Sequence, residues 1–128
     1  MHRDTPEACT QRFADCVGRG DLDGVAEIFE PSASILSDGG TVVRGSRTIR
    51  AVMAAFVESR PLLDVKLERV IDAGDDLSIV YNQWRFRGME PEGGVALNVG
   101  TALTVLRRRA DGPWRIVFSD VNYTGRTR

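Results

Sequence analysis

Any chemistry in this chain has to be done by Asp, Glu, Tyr, Arg, Ser, Asn or ordered water. The single histidine, His2, sits in the N-terminal tail, where chains fray, so the commonest general base near neutral pH is missing. Ser-His-Asp and Cys-His nucleophile systems go with it, as do zinc sites built from His and Cys. No metal is expected. No glycine-rich loop follows a strand-like run with the spacing of a P-loop or a dinucleotide fingerprint, and no cofactor is expected either. Two asparagines are informative: Asn82 and Asn98 each lie midway along a strand-like run, against β-propensity. A buried asparagine must find hydrogen-bond partners, which suits the wall of a pocket. Asp38 opens an Asp38-Gly39-Gly40 turn. Its carboxylate serves either the turn itself or, facing a pocket, acid–base work with a pKa raised by burial.

These side chains need a frame, and the sequence describes one. Three long strand-like runs, Leu77–Arg87, Val95–Arg109 and Trp114–Tyr123, are joined by Met89-Glu90-Pro91-Glu92-Gly93-Gly94 and Ala110-Asp111-Gly112-Pro113. That pattern predicts an antiparallel meander. Ahead of it, Thr5 and Pro6 open a first helix, whose Cys9, Phe13, Cys16 and Val17 share one face before Gly18 and Gly20 end it. Asp21 caps a shorter helix with a stripe of Leu22, Val25, Ala26 and Phe29, closed by Pro31. Ser32–Ser37 and Thr41–Arg44 form a hairpin about the Asp-Gly-Gly turn. Ser46 opens a third helix with Ile49, Val52, Met53, Phe56 and Val57 on one buried face, stopped by Pro61. Leu63–Ala73 alternates apolar with charged residues as the first long strand. Three helical segments and a mainly antiparallel sheet give an α+β fold, with the sheet curled round the helices and a pocket between them.

The run Val95–Arg109 carries Val95, Leu97, Val99, Leu103 and Val105 on one face and Ala96, Asn98, Gly100, Ala102 and Thr104 on the other, with no charge before Arg107. A strand with a wet face alternates apolar with charged residues. Both faces are therefore expected to be covered, one by the chain's own helices and the other by a second subunit in a homodimer. The 128 residues read as a single domain, with 1–4 and 124–128 as frayed tails. A formal charge of −1 exerts no long-range pull on nucleic acid or anionic membrane. No apolar run approaches the roughly 20 residues of a membrane helix, and no signal-peptide core follows Met1. Cys9 and Cys16, on one helix, stand about 10 Å apart along its axis, too far for a disulfide. A reduced, cytoplasmic protein that binds neither nucleic acid nor membrane is expected. Sixteen of the 17 basic residues are arginine, a bias read as codon usage in a GC-rich bacterial genome, and Arg107-Arg108-Arg109 is expected at a solvated strand end.

Several short stretches occur in a telling order: Arg12-Phe13-Ala14-Asp15-Cys16-Val17-Gly18-Arg19-Gly20-Asp21-Leu22-Asp23, Phe29-Glu30-Pro31-Ser32-Ala33, Arg44-Gly45-Ser46-Arg47-Thr48-Ile49, and Val105-Leu106-Arg107-Arg108 with Asp111-Gly112-Pro113-Trp114-Arg115-Ile116. In these the chain resembles the SnoaL-like/DUF4440 branch of the NTF2-like superfamily. The resemblance implies a cone-shaped α+β barrel, with three N-terminal helices packed on a curved, mixed, mainly antiparallel sheet and the pocket at the open end. The superfamily holds isomerases, polyketide cyclases, dehydratases, epoxide hydrolases and many non-catalytic binders, so its fold is a poor guide to activity. Ketosteroid isomerase, similar in layout, uses an Asp base with a Tyr and a protonated Asp as oxyanion donors. The resemblance puts that tyrosine at Phe13, the protonated aspartate at Thr104, and the base at Ser37, beside Asp38. It also turns Asn98, Gly100, Ala102 and Thr104 toward the pocket, with Asn82 and Trp84 from the neighbouring strand, Ser119 and Tyr123 from the last strand, and Phe13, Met53 and Phe56 from the helices. Asp38 is the one catalytic candidate.

Such a cavity, apolar with several neutral hydrogen-bonding groups, suits a small hydrophobic molecule with one or two polar atoms, a carbonyl compound or epoxide among them. Acid–base isomerase, cyclase or hydrolase chemistry then needs Asp38. The alternatives are a non-catalytic module that binds a small ligand, and one that binds a protein partner through the outer sheet face.

Overall fold

The computed structural model describes residues 4–37, 39–58, 62–89, 92–110 and 112–123. Its elements start where local chemistry favours them. The Thr5 hydroxyl accepts the Ala8 N–H at 3.0 Å, and Pro6 is the first residue of helix α1 (Pro6–Arg19), a position that needs no N–H. Gly20 ends α1 in the left-handed conformation, φ 72°, with its N–H turned back to the last carbonyls. Helix α2 (Leu22–Glu27) is capped by Asp21, which accepts from the Gly24 N–H at 2.9 Å. Helix α3 (Ser46–Glu58) buries Ile49 and Met53, with Phe56 and Val57 packed beside them.

Six strands, β1 (Phe29–Leu36), β2 (Val42–Arg44), β3 (Leu62–Asp72), β4 (Leu77–Met89), β5 (Val95–Arg108) and β6 (Trp114–Asp120), form one sheet in the order β2-β1-β6-β5-β4-β3. β1 runs parallel to β6, and the other neighbouring pairs are antiparallel. This is the mixed, mainly antiparallel sheet that the resemblance implies. Two expectations need correction. Phe29 and Pro31 belong to β1 rather than to the end of the second helix. Pro31 is tolerated there because β2 pairs with β1 only from Ser34 onward, and the register with β6 shifts between Phe29 and Ser34. The ladder therefore asks nothing of its missing N–H. The last strand stops at Asp120, and residues 121–123 form a turn instead of extending it to Tyr123.

The ladders slip between Leu67 and Arg69 and between Val105 and Leu106. Each bulge bends its strand and adds twist, which helps curl the sheet. On the concave face Val80 and Leu106 are fully buried against a core that includes Val17, Val25, Ile49 and Ile116. Burial of one side chain like Leu106 stabilises by about 1.5–3 kcal/mol. No helix among the described residues is long and apolar enough to cross a membrane.

At the closed end of the sheet the chain buries a carboxylate. Glu30 is 4% exposed and accepts from Arg107 Nε at 3.0 Å and from Arg109 Nε at 2.5 Å. Arg108 bonds Asp76 at 3.1 Å and lies 5.4 Å above the Trp114 ring. The arginine run expected at a solvated strand end is therefore engaged, because a buried carboxylate needs the cations that the end of β5 and the residue after it bring alongside. Asp4, expected in a frayed tail, is anchored too: its carboxylate takes the Arg12 guanidinium at 3.0 Å and the Trp114 N–H at 2.8 Å.

Candidate functional site

Where α1 and α3 lie over the concave sheet, a cavity of about 440 Å³ remains, within the range of about 300–1,000 Å³ usual for small-molecule sites. Strand alternation builds its floor. Asn82, Trp84 and Phe86 share one face of β4, and their register partners Ala102, Gly100 and Asn98 share the matching face of β5. Phe13 and Thr10 descend from α1, and Val52, Met53 and Phe56 from α3. Ile35 and Ser37 close the β1 side, Leu63 and Val65 the β3 side, and Ser119 and Val121 the end of β6.

Aromatic packing fixes the walls. The Phe56 and Phe86 rings stack with centroids 5.1 Å apart, and Phe13 meets Phe29 edge-on at 6.0 Å. Trp84 is pinned at both ends of its indole. Its Nε1–H donates to the Val121 carbonyl at 2.7 Å, and its six-membered ring lies where a side chain at position 100 would be. A Cβ on Gly100 would stand 2.4 Å from Trp84 Cζ2, so glycine is what lets the indole lie against β5.

The polar lining is neutral. The hydroxyls of Thr104 and Ser119 are 3.3 Å apart and share one hydrogen bond that either can donate. Thr10 Oγ1 donates to the Pro6 carbonyl at 3.1 Å, and Ser37 Oγ accepts the Thr41 N–H at 3.2 Å. Asn82 differs from all of these. It is 6% exposed, it lines the cavity, and its carboxamide makes no hydrogen bond to another described residue. A buried amide left unpaired costs about 1–3 kcal/mol. Among the described residues the lining contains no ionisable side chain, and no cluster of His, Cys, Asp and Glu able to hold a metal is present. Nor does the Cys9 thiol offer a nucleophile. Burial pushes Cys9 up to about 12, despite the pull of the Arg12 guanidinium in the other direction, which leaves it a structural thiol.

The structure brings Phe13, Met53, Phe56, Asn82, Trp84, Asn98, Thr104 and Ser119 to this one cavity, Asn98 from an exposed position. Tyr123 is not part of it. Its ring packs edge-on against Tyr81 at 5.7 Å and its N–H donates to the Thr101 carbonyl. The face expected for it, continued from Ser119, is lost when β6 ends at Asp120. Asp38 lies outside the described residues. The three positions at which the resemblance puts catalytic groups, Phe13, Thr104 and Ser37, all line the cavity, and none carries an ionisable group. Sequence reasoning missed Phe86, Leu63 and Val65, although Phe86 shares the alternation of Asn82 and Trp84, and Leu63 and Val65 alternate on the adjoining strand.

The profile of the SnoaL-like domain family matches residues 10–118. No curated protein matches the chain significantly. Among solved structures, the fold is similar to that of a ketosteroid isomerase-like protein from Erwinia carotovora atroseptica, with TM-score 0.78, 17% identity and 89% of each chain covered. It is similar also to an NTF-2 like protein of unknown function from Shewanella oneidensis, with TM-score 0.74, 15% identity and 88% of this chain and 91% of that one covered. A protein from Xanthomonas campestris assigned as a calcium/calmodulin-dependent protein kinase II association domain superposes with TM-score 0.79 at 18% identity over 94% of each chain. At such identities these likenesses speak for the fold alone.

Proposed function

Because the chain belongs to the SnoaL-like domain family, we propose that it works as a single domain that binds a small, mostly apolar, uncharged molecule in the cone between α1, α3 and the sheet. The observation that carries this reading is the lining itself: aromatic and aliphatic walls around a few neutral polar groups, with no ionisable side chain among the described residues. Burying an ion there without a counter-charge would be costly, whereas an apolar ring system loses water at every wall. The same lining favours binding over acid–base turnover, since Phe13, Thr104 and Ser37 stand where the resemblance puts catalytic groups. Isomerase, cyclase or hydrolase chemistry would fall to Asp38, and Asp38→Asn would then abolish turnover without changing affinity.

A thermal-shift screen against fused-ring and terpenoid carbonyls, lactones and epoxides, with mass spectrometry of every hit, tests this reading. A ligand at a hundred times its dissociation constant adds about 2.7 kcal/mol, enough to raise the midpoint by several degrees at this size. Hits recovered unchanged support a binding protein, altered hits establish an enzyme, and no shift across the panel sinks the small-molecule reading.

We also infer a homodimer through the convex sheet face. Leu97 is 70% exposed and Val99 69%, and they adjoin Leu62, Met89 and Val95, all more than half exposed. Leu97 lies beside Arg87 and Val99 beside Arg85, which in turn faces Asp64 on β3. A face with an apolar centre and both signs of charge can pair with itself across a two-fold axis. Val99→Glu should convert a dimer to a monomer in sedimentation velocity; a wild-type monomer at high concentration would refute it. Two buried free thiols, Cys9 and Cys16, support a reducing, cytoplasmic setting.

A further inference from the structure

Among the described residues Asn82 is the one buried polar group of the cavity whose side chain makes no hydrogen bond, and its chemistry states what would satisfy it. A carboxamide presents an N–H donor and a carbonyl acceptor side by side in one plane. A neutral group that meets both at once is another amide edge in the cis arrangement, with C=O next to N–H, as in a lactam or cyclic imide. The surroundings restrict the ligand further. Ala102, its register partner on β5, is small, while Trp84 and Phe86 follow Asn82 on the same face of β4. These offer a flat ring system apolar contact on either side of the amide edge. The adjacent hydroxyls of Thr104 and Ser119 share one hydrogen bond, whereas the Asn82 carboxamide offers its donor and its acceptor side by side with neither engaged by another described residue.

We propose that Asn82 is the specificity determinant of the cavity, and that it selects neutral, flat, apolar ring compounds carrying a cis-amide edge, pairing with them through two hydrogen bonds. This deepens the small-molecule reading above and rests on it. Loss of a single buried hydrogen bond changes affinity by about tenfold, and the second bond separates this class from simple ketones. Carboxylates of the same shape are rejected, because no described residue of the lining carries a positive charge.

Equilibrium binding of 2-quinolone, N-methyl-2-quinolone, naphthalene and 2-naphthoate to the full chain tests the proposal. 2-Quinolone should bind about tenfold or more tighter than N-methyl-2-quinolone, which keeps the carbonyl but lacks the N–H, and tighter still than naphthalene; 2-naphthoate should bind weakest. Asn82→Leu should abolish the preference, leaving 2-quinolone and naphthalene within about threefold of each other. Asn82→Ser, smaller and still polar, should lose most of the preference and guards against a misfolded first variant. If wild type binds naphthalene and 2-quinolone within about twofold of each other, or Asn82→Leu keeps the preference, the cavity stands and the assignment of Asn82 falls. If no member of the series binds, the assignment falls along with its premise for bicyclic ligands, an outcome the broader screen separates from failure of the pocket as such.

Discussion

Glu30 and Asn82 are buried to nearly the same depth, 4% and 6% exposed, in the same chain and in strands of one sheet. Yet the fold treats them in opposite ways. Glu30, at the closed end, receives guanidinium N–H groups from Arg107 and Arg109. Asn82, midway along β4 on the cavity floor, receives nothing from another described residue. A buried ion without partners is too costly to keep, so the carboxylate comes with its cations, Arg107 at the end of β5 and Arg109 just beyond it. A buried neutral amide costs less, and a protein can carry that cost where a ligand repays it. Burial alone therefore does not mark a site; burial with the hydrogen bonds left open, facing a cavity, does.

The largest expected effect breaks the satisfied half of this comparison. Glu30→Ala should lower stability by about 2–3 kcal/mol in urea denaturation, less than the ~3–5 kcal/mol of a fully enclosed pair, because both guanidiniums reach solvent. The pH dependence has a definite sign. Burial pushes the Glu30 carboxyl up, but the hydrogen bonds from Arg109 and Arg107 outweigh it and hold the carboxyl below the ordinary value of 4.5. A depressed folded pKa means that the stabilisation is present above the unfolded value and is lost as pH falls through the folded one. The stability gap between wild type and Glu30→Gln should thus be constant near neutrality and shrink below about 4.5; a gap that widens on acidification would contradict the pairing.

A smaller effect is expected at the wall of the site. Gly100→Ala forces a methyl to within 2.4 Å of the Trp84 ring, and the indole cannot retreat without breaking its 2.7 Å bond to the Val121 carbonyl. Overpacking of this kind costs about 1–3 kcal/mol, and the better strand propensity of alanine returns roughly 0.5 kcal/mol or more of it. A net loss of about 1–2 kcal/mol should accompany a shift in Trp84 emission. Unchanged emission would mean that the ring is not held where the strand register places it.

Much of this arrangement was legible in the sequence. The alternation put Asn82 with Trp84 on one face of β4 and Asn98 with Thr104 on one face of β5, because period-two patterning survives wherever a strand stays regular; the resemblance turned both faces to the pocket. Patterning failed at Tyr123, where the strand ends three residues earlier than its composition implies, and at Phe29 and Pro31, where the helical stripe continued past the true helix end. At the end of β6 a local turn decided the matter, the Asp120 carboxylate accepting the Asn122 N–H at 3.3 Å. At Phe29 and Pro31 it was the parallel docking of β1 on β6, which has no local signature. The Glu30 cluster was hidden for the same reason, since its members are 77 and 79 residues apart and nothing local to Arg107-Arg108-Arg109 announces a buried partner.

The smallest effect is the sharpest test of the comparison, because its sign is opposite. If Asn82 were held by the fold, as Glu30 is, removing its amide would destabilise the protein. Its carboxamide has no described partner and faces open volume, so Asn82→Leu should instead raise stability by about 1 kcal/mol, exchanging an unpaired amide for apolar contact. That corresponds to a rise of about 3–5 °C in the midpoint for a chain of this size. The gain should not depend on pH, since neither side chain titrates, whereas the Glu30 effect does. A destabilised Asn82→Leu would place Asn82 in the same class as Glu30, a structural group with a partner of its own, and would remove the reason to assign it to a ligand. A stabilised variant that has lost the 2-quinolone preference would show one side chain lowering stability and conferring recognition, which is what separates Asn82 from Glu30.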